Sequence, residues 1–125
     1  MYENFDKDNI SFVFDTCWAA YVGQDVRYLM EKLAGRIDIL HLKDIRLFKN
    51  EEGKFENTMC EIGNGAIWWQ GVIDAAEKIG VKSYVVEQDK NFEDGECFKS
   101  ITKSAEYLKK IYEIKRGSYE SYKKR

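Results

Sequence analysis

Three apolar runs, ISFVFD at residues 10–15, IDILHL at 37–42 and VKSYVVEQD at 81–89, constrain this chain most, because stretches of helical period separate them. Continuous runs rich in β-branched and aromatic side chains suit strands covered on both faces. After the first run, Asp25 is placed to cap a helix in which Val26, Leu29, Met30 and Leu33 recur at i, i+3, i+4 and i+7 before Gly35. After the second, RLFKNEEGKFENTMCEIGNG at 46–65 reads as a long loop, and loops of this length are commonly functional or mobile. A helix is expected from about Ala66, with Ile67, Val72, Ile73 and Ala76 on one side and Gly80 as its stop. After the third run, DGE at 94–96 opens a last helix whose expected buried stripe is Phe98, Ile101, Ala105, Leu108 and Tyr112.

The order β-α-β-α-β-α predicts an α/β fold of parallel strands joined by right-handed crossovers. In such sheets the chemistry gathers at the carboxyl ends of the strands. Asp15, His41 and Glu87 stand at those ends, one per strand. Alternation places Ser11 and Val13 on the face of Asp15, Ile39 on that of His41, and Ser83 and Val85 on that of Glu87. Phe14, Leu40 and Val86 then face the helices.

One imidazole and two carboxylates converging on a point suit a divalent cation, Mn²⁺, Mg²⁺, Co²⁺ or Zn²⁺, because mixed N/O ligation is not a soft thiolate site. Each residue alone has a plainer reading. A terminal Asp commonly caps a helix, and a lone His is commonly a satisfied core group. Their occurrence at equivalent strand ends favours a shared site.

Composition narrows the partners. With 44% hydrophobic and 14% aromatic residues the chain can form a core, and a formal charge of −2 gives no general pull toward nucleic acid or anionic membranes. Cys17, Cys60 and Cys97 have neither disulfide-framework nor zinc-site spacing. MYENFDKDN is polar where a signal peptide is basic and then apolar, and no run reaches the ~20 residues of a membrane span. A reducing, cytoplasmic setting is expected. Residues 1–125 read as one domain, with 1–9 a polar lead-in and 116–125 a solvated basic tail whose Tyr and Lys lack any RNA-binding motif. EIGNG reads as the turn that starts the following helix, with Trp68 and Trp69 packing its first turn, one inward and one toward a neighbour.

DTCW, GQD opening a helix, LHLKD, EIGNGAIWW, YVVEQD and DGECFKS, in this order and spacing, resemble the carboxyl-terminal part of sugar phosphate isomerases/epimerases. These are xylose isomerase-like TIM barrels, a superfamily that includes inosose dehydratase and the ketose 3-epimerases. The resemblance runs from about Ile10 to about Leu108. It implies a partial (β/α)8 TIM barrel of about three parallel βα units. It further implies a divalent metal, Mn or Mg first and Co or Zn next, held by Asp15, His41 and Glu87. Glu87 would be both ligand and catalytic proton carrier for enediol chemistry on a sugar or sugar phosphate. Trp18, Lys43 and Asp89 would bind substrate, the last two also reading as solvated loop charges.

Two departures stand out. Trp18 occupies the position where epimerases commonly carry a substrate-binding His. The family's first metal-binding Glu belongs to a preceding strand, and only MYENFDKDN precedes Ile10 here. Three strands with helices on one face also leave the inner face and two edges uncovered, which invites association. A second copy or a complementary barrel fragment is therefore the expected partner, with little or no sugar turnover by the chain alone. The alternative is a non-catalytic, self-associating module that keeps the motifs by inheritance. An endonuclease-like reading, which needs a His-rich zinc cluster, does not suit a chain with one His.

Overall fold

The computed structural model describes residues 2–123, with the side chains of 3–115. In chain order its elements are β1 (Phe12–Asp15), α1 (Thr16–Tyr21), α2 (Val26–Lys32), β2 (Ile37–Leu42), β3 (Asp44–Lys49), β4 (Phe55–Cys60), α3 (Trp69–Ile79), β5 (Ser83–Val86) and α4 (Cys97–Lys123). The three expected strands form one parallel sheet in the order β1-β2-β5. Asp15 pairs with His41 and His41 with Val85, so Glu87 lies two residues beyond Val85 and in phase with it. The Glu87 N–H donates to the Leu42 carbonyl at 3.2 Å, which carries the β2–β5 pairing to the rim.

The two faces of this sheet are unlike. Phe14 and Leu40 are buried under the helices together with Met30, Trp69, Val72, Ile73 and Ala76. Burying an aliphatic side chain of this size contributes about 1.5–3 kcal/mol, so this layer holds the fold together. On the opposite face Val13 is 57% and Val85 42% exposed. The sequence alternation is thus borne out, including the bare inner face it implied.

Helix α2 begins where expected, because Asp25 Oδ1 accepts the N–H groups of Arg27 and Tyr28 at 2.9 and 3.1 Å. Helix α3 ends at Gly80, whose φ of 81° is left-handed. It starts at Trp69 rather than near Ala66, because the amides of Gly63, Gly65 and Ile67 are held by the Asp44 carboxylate. Trp69 is fully buried, whereas Trp68 is exposed, with the Arg27 guanidinium 4.7 Å from its ring centre.

Three expectations need correction. The supposed loop at 46–65 is largely an antiparallel hairpin, β3 with β4, paired from Asp44↔Cys60 to Lys49↔Phe55. Asn50 closes its turn, its carbonyl accepting from Gly53 and its side chain from Lys54. The hairpin's base is buried at Ile45 and Met59, while Leu47 and Phe55 near the tip are 62% and 68% exposed. Second, the short helix α1 intervenes between β1 and α2. Third, the buried stripe of α4 is Ser100, Ser104, Leu108 and Ile111, and of the expected set only Leu108 belongs to it. Phe98 is 83% exposed, and Ile101, Ala105 and Tyr112 are also exposed. The body-facing side of α4 meets a buried carboxylate, which small hydroxyl side chains satisfy and apolar ones do not. The α4 backbone continues through Lys123, so the expected tail is helical to that point; its side chains from 116 on lie outside the described residues. Among the described residues, no helix is long and apolar enough to cross a membrane.

Candidate metal centre

Asp15 ends β1 and begins α1. Its Oδ1 accepts the Trp18 N–H at 3.0 Å, the N-cap bond of the helix, which leaves Oδ2 for the sheet's inner rim. The cap and ligand readings of this residue are therefore compatible: one oxygen serves each. Thr16, fully buried, fixes the neighbouring strand end. Its hydroxyl lies 3.1 Å from the His41 carbonyl and 2.8 Å from that of Lys43, and it accepts the Lys43 N–H at 3.0 Å.

His41 Nδ1 is 2.9 Å from Glu87 Oε2 and 3.9 Å from Asp15 Oδ2. Ligand atoms of Asp15, His41 and Glu87 all lie within 4.8 Å of one another, and all three residues are half-buried. One imidazole nitrogen and two carboxylate oxygens fit a hard or borderline divalent ion such as Mn²⁺, Mg²⁺, Co²⁺ or Zn²⁺. The three residues singled out in the sequence thus converge.

Lys43 is not a solvated loop charge. It is only 3% exposed, and its Nζ lies 3.4 Å from Asp15 Oδ2, 3.2 Å from Glu87 Oε1 and 3.0 Å from Asp89 Oδ2. Burial pulls its pKa down, but the hydrogen bond to Asp89 and the charges of Asp15 and Glu87 outweigh it and hold the ammonium above its ordinary 10.5. The same hydrogen bond keeps the Asp89 carboxyl below 3.8. Trp18 is 52% exposed, its ring edge-on to Tyr21 at 5.6 Å.

Asp44, beyond the end of β2, closes the LHLKD motif but is not among the site residues expected from the sequence. It is completely buried, and its carboxylate accepts from Ile45 N (2.8 Å), Gly63 N (2.9 Å), Gly65 N (3.2 Å), Ile67 N (3.4 Å) and Trp69 Nε1 (2.6 Å). Within EIGNG, the turn expected before the helix, the amides of Gly63 and Gly65 thus bind an anion, and that anion is the protein's own. Gly65 is required by closeness, since a Cβ there would lie 2.1 Å from Asp44 Oδ1. The legible signal was two glycines and an indole N–H downstream of an acid at a strand end. Glu61 is likewise buried. Burial works against its charge, yet hydrogen bonds from Ser100 and Asn64 bring its pKa from 4.5 down to about 2. The thiols of Cys17 and Cys60 are pushed up to about 11 and about 12, chiefly by burial, and are poor nucleophiles.

A rim of acid and imidazole at the carboxyl ends of parallel strands, with an open sheet behind it, is the arrangement of part of an α/β barrel. The xylose isomerase-like TIM barrel family model matches residues 1–111, and the chain belongs to that family. A solved sugar phosphate isomerase/epimerase from Parabacteroides distasonis superposes with a TM-score of 0.69 at 30% identity over 86% of this chain and 33% of that one. A second from the same organism gives 0.68 at 24% identity, over 86% and 34%, and bears on the fold alone. An inosose dehydratase of Mesomycoplasma hyopneumoniae is 40% identical over 52 residues, 42% of this chain and 17% of its own length. The chain thus spans about a third of the solved structures it matches, and its three-stranded parallel sheet is a partial barrel.

Proposed function

We propose that this chain carries the metal-binding strand ends of a divalent-metal-dependent sugar or sugar phosphate isomerase/epimerase, its carboxyl-terminal part, acting by enediol-type proton transfer. The observation that carries this reading is the convergence of Asp15, His41 and Glu87 within 4.8 Å at one rim. A bound divalent ion, manganese or magnesium in the first place, would supply Lewis-acid polarisation of substrate oxygens. Glu87, part-exposed at the rim, is the residue assigned to move a proton between neighbouring carbons of the sugar. Trp18, half-exposed, is placed to meet a sugar ring and Asp89 a hydroxyl at the same rim, whereas the buried Lys43, engaged by three carboxylates, reaches substrate only through them. The proposed setting is cytoplasmic, in keeping with three free cysteines.

The exposed Val13 and Val85 favour a partner on the inner face, either a second copy or a complementary barrel fragment. The same observation supports a second reading, a non-catalytic self-associating module with an inherited site. Deuterium exchange distinguishes them. The chain is incubated with manganese and a panel of ketose phosphates in D₂O, its mass followed by light scattering and the sugars by NMR. Deuterium appearing at the carbon beside the carbonyl, and lost in His41→Ala and Glu87→Gln, supports the enzyme reading even where net turnover is small. An associated species that incorporates none supports the module and overturns the enzyme.

A further inference from the structure

Lys43 makes the rim unusual in a way the ligand triad does not explain. A lysine side chain with almost no exposure runs to the sheet's carboxyl end, and its three N–H donors face three carboxylates. Two of those oxygens, Asp15 Oδ2 and Glu87 Oε1, belong to the residues assigned to the metal. The third, Asp89 Oδ2, belongs to a residue outside the triad. Together the three carboxylates and one ammonium leave two negative charges, which one divalent ion cancels.

We propose that Lys43 is a resident cation: its ammonium holds Asp15, Glu87 and Asp89 together without metal, so that the rim is formed beforehand, and it weakens metal binding in return. The inference rests on the metal-site reading for its second half only. Removing the charge leaves three neighbouring carboxylates with no internal counter-ion, and like charges at this range repel strongly where water is partly excluded. A divalent ion then becomes the remaining means of holding them, and it no longer competes with a fixed positive charge. Lys43 acts here through the ligands and is a positioning residue.

The test compares the wild-type chain with Lys43→Met, which keeps most of the buried stem and removes the charge. Melting is followed by circular dichroism in EDTA and in manganese, and manganese binding by calorimetry. Expected is a wild-type melting temperature that rises modestly with manganese, a Lys43→Met variant that melts clearly lower in EDTA and gains more from manganese than wild type does, and tighter manganese binding by the variant, by about tenfold or more. Should Lys43→Met not fold in EDTA, Lys43→Met/Asp89→Asn, with one fewer uncompensated carboxylate, regains folding there. The inference is overturned if Lys43→Met melts like wild type in EDTA, if it binds manganese more weakly, or if the double variant also fails to fold. Absence of manganese binding in both chains would instead contradict the metal-site reading, while the EDTA comparison still decides the structural half.

Discussion

Asp15 and Asp44 both stand at the carboxyl ends of adjoining strands, and their surroundings assign them opposite work. Asp44 has no exposure and spends its carboxylate on five N–H groups of its own chain. Asp15 gives one oxygen to the Trp18 N–H and turns the other toward His41 and Lys43. The lesson is that a carboxylate saturated by backbone donors is a structural anion, whereas one with an oxygen left among other ligands is available to a cation. Proximity to a rim does not distinguish them; the donors do.

The sharpest way to break this contrast is Asp44→Ala. It strands several buried N–H groups at once, and the expected loss is about 3–5 kcal/mol in urea unfolding, with the 63–69 segment opening first in hydrogen exchange. A loss below about 1 kcal/mol would mean that water replaces the carboxylate freely. Gly65→Ala attacks the same cradle from the other side. A methyl placed on Asp44 Oδ1 and 2.6 Å from the Ile45 carbonyl should cost about 1–3 kcal/mol or more through forced displacement. Asp15→Asn should do the reverse of both. Asparagine caps helices about as well as aspartate, so stability should change by under about 0.5 kcal/mol while manganese binding falls at least about tenfold. A large stability loss in this variant would show that the two aspartates are alike after all.

An effect visible only as pH falls concerns Glu61, a buried carboxylate of intermediate character. Its pKa is depressed in the folded chain, from 4.5 to about 2, so the unfolded chain takes up its proton first as pH falls. The stability it confers is complete above about pH 4.5 and is lost as pH drops toward about 2. Urea midpoints measured across this window should fall less steeply in Glu61→Gln than in wild type. Equal slopes would remove Glu61 from the account.

The parts that sequence made legible share one property: their polar and apolar positions differ in kind. The three strands are apolar runs with a chemically distinct residue at the end, so both the parallel sheet and the Asp15, His41, Glu87 rim could be placed by alternation. The hairpin was hidden because it projects outward, with exposed Leu47 and Phe55 among charges, and so lacks a buried face to give it a period. Helix α1 was hidden by its length of six residues, within which an N-cap aspartate is the main signal. The stripe of α4 was misplaced because Ser100 and Ser104 face inward to serve Glu61 Oε1 and the Ile62 N–H, a requirement set by residues some forty positions away. Phe98 and Ile101 instead line a groove of about 290 Å³ with Val86 and Phe92, beside the strand edge of β5. Lys43 was misjudged for a related reason: its three carboxylate partners come from the ends of β1 and β5, distant from it in sequence.

Manganese titration of the purified wild-type chain by calorimetry, beside His41→Ala shown to be folded by circular dichroism, tests the central claim most directly. Wild type is expected to show one saturable site per chain, and His41→Ala no saturable heat. A wild-type chain without saturable binding, or a variant that binds as well as wild type, would contradict it.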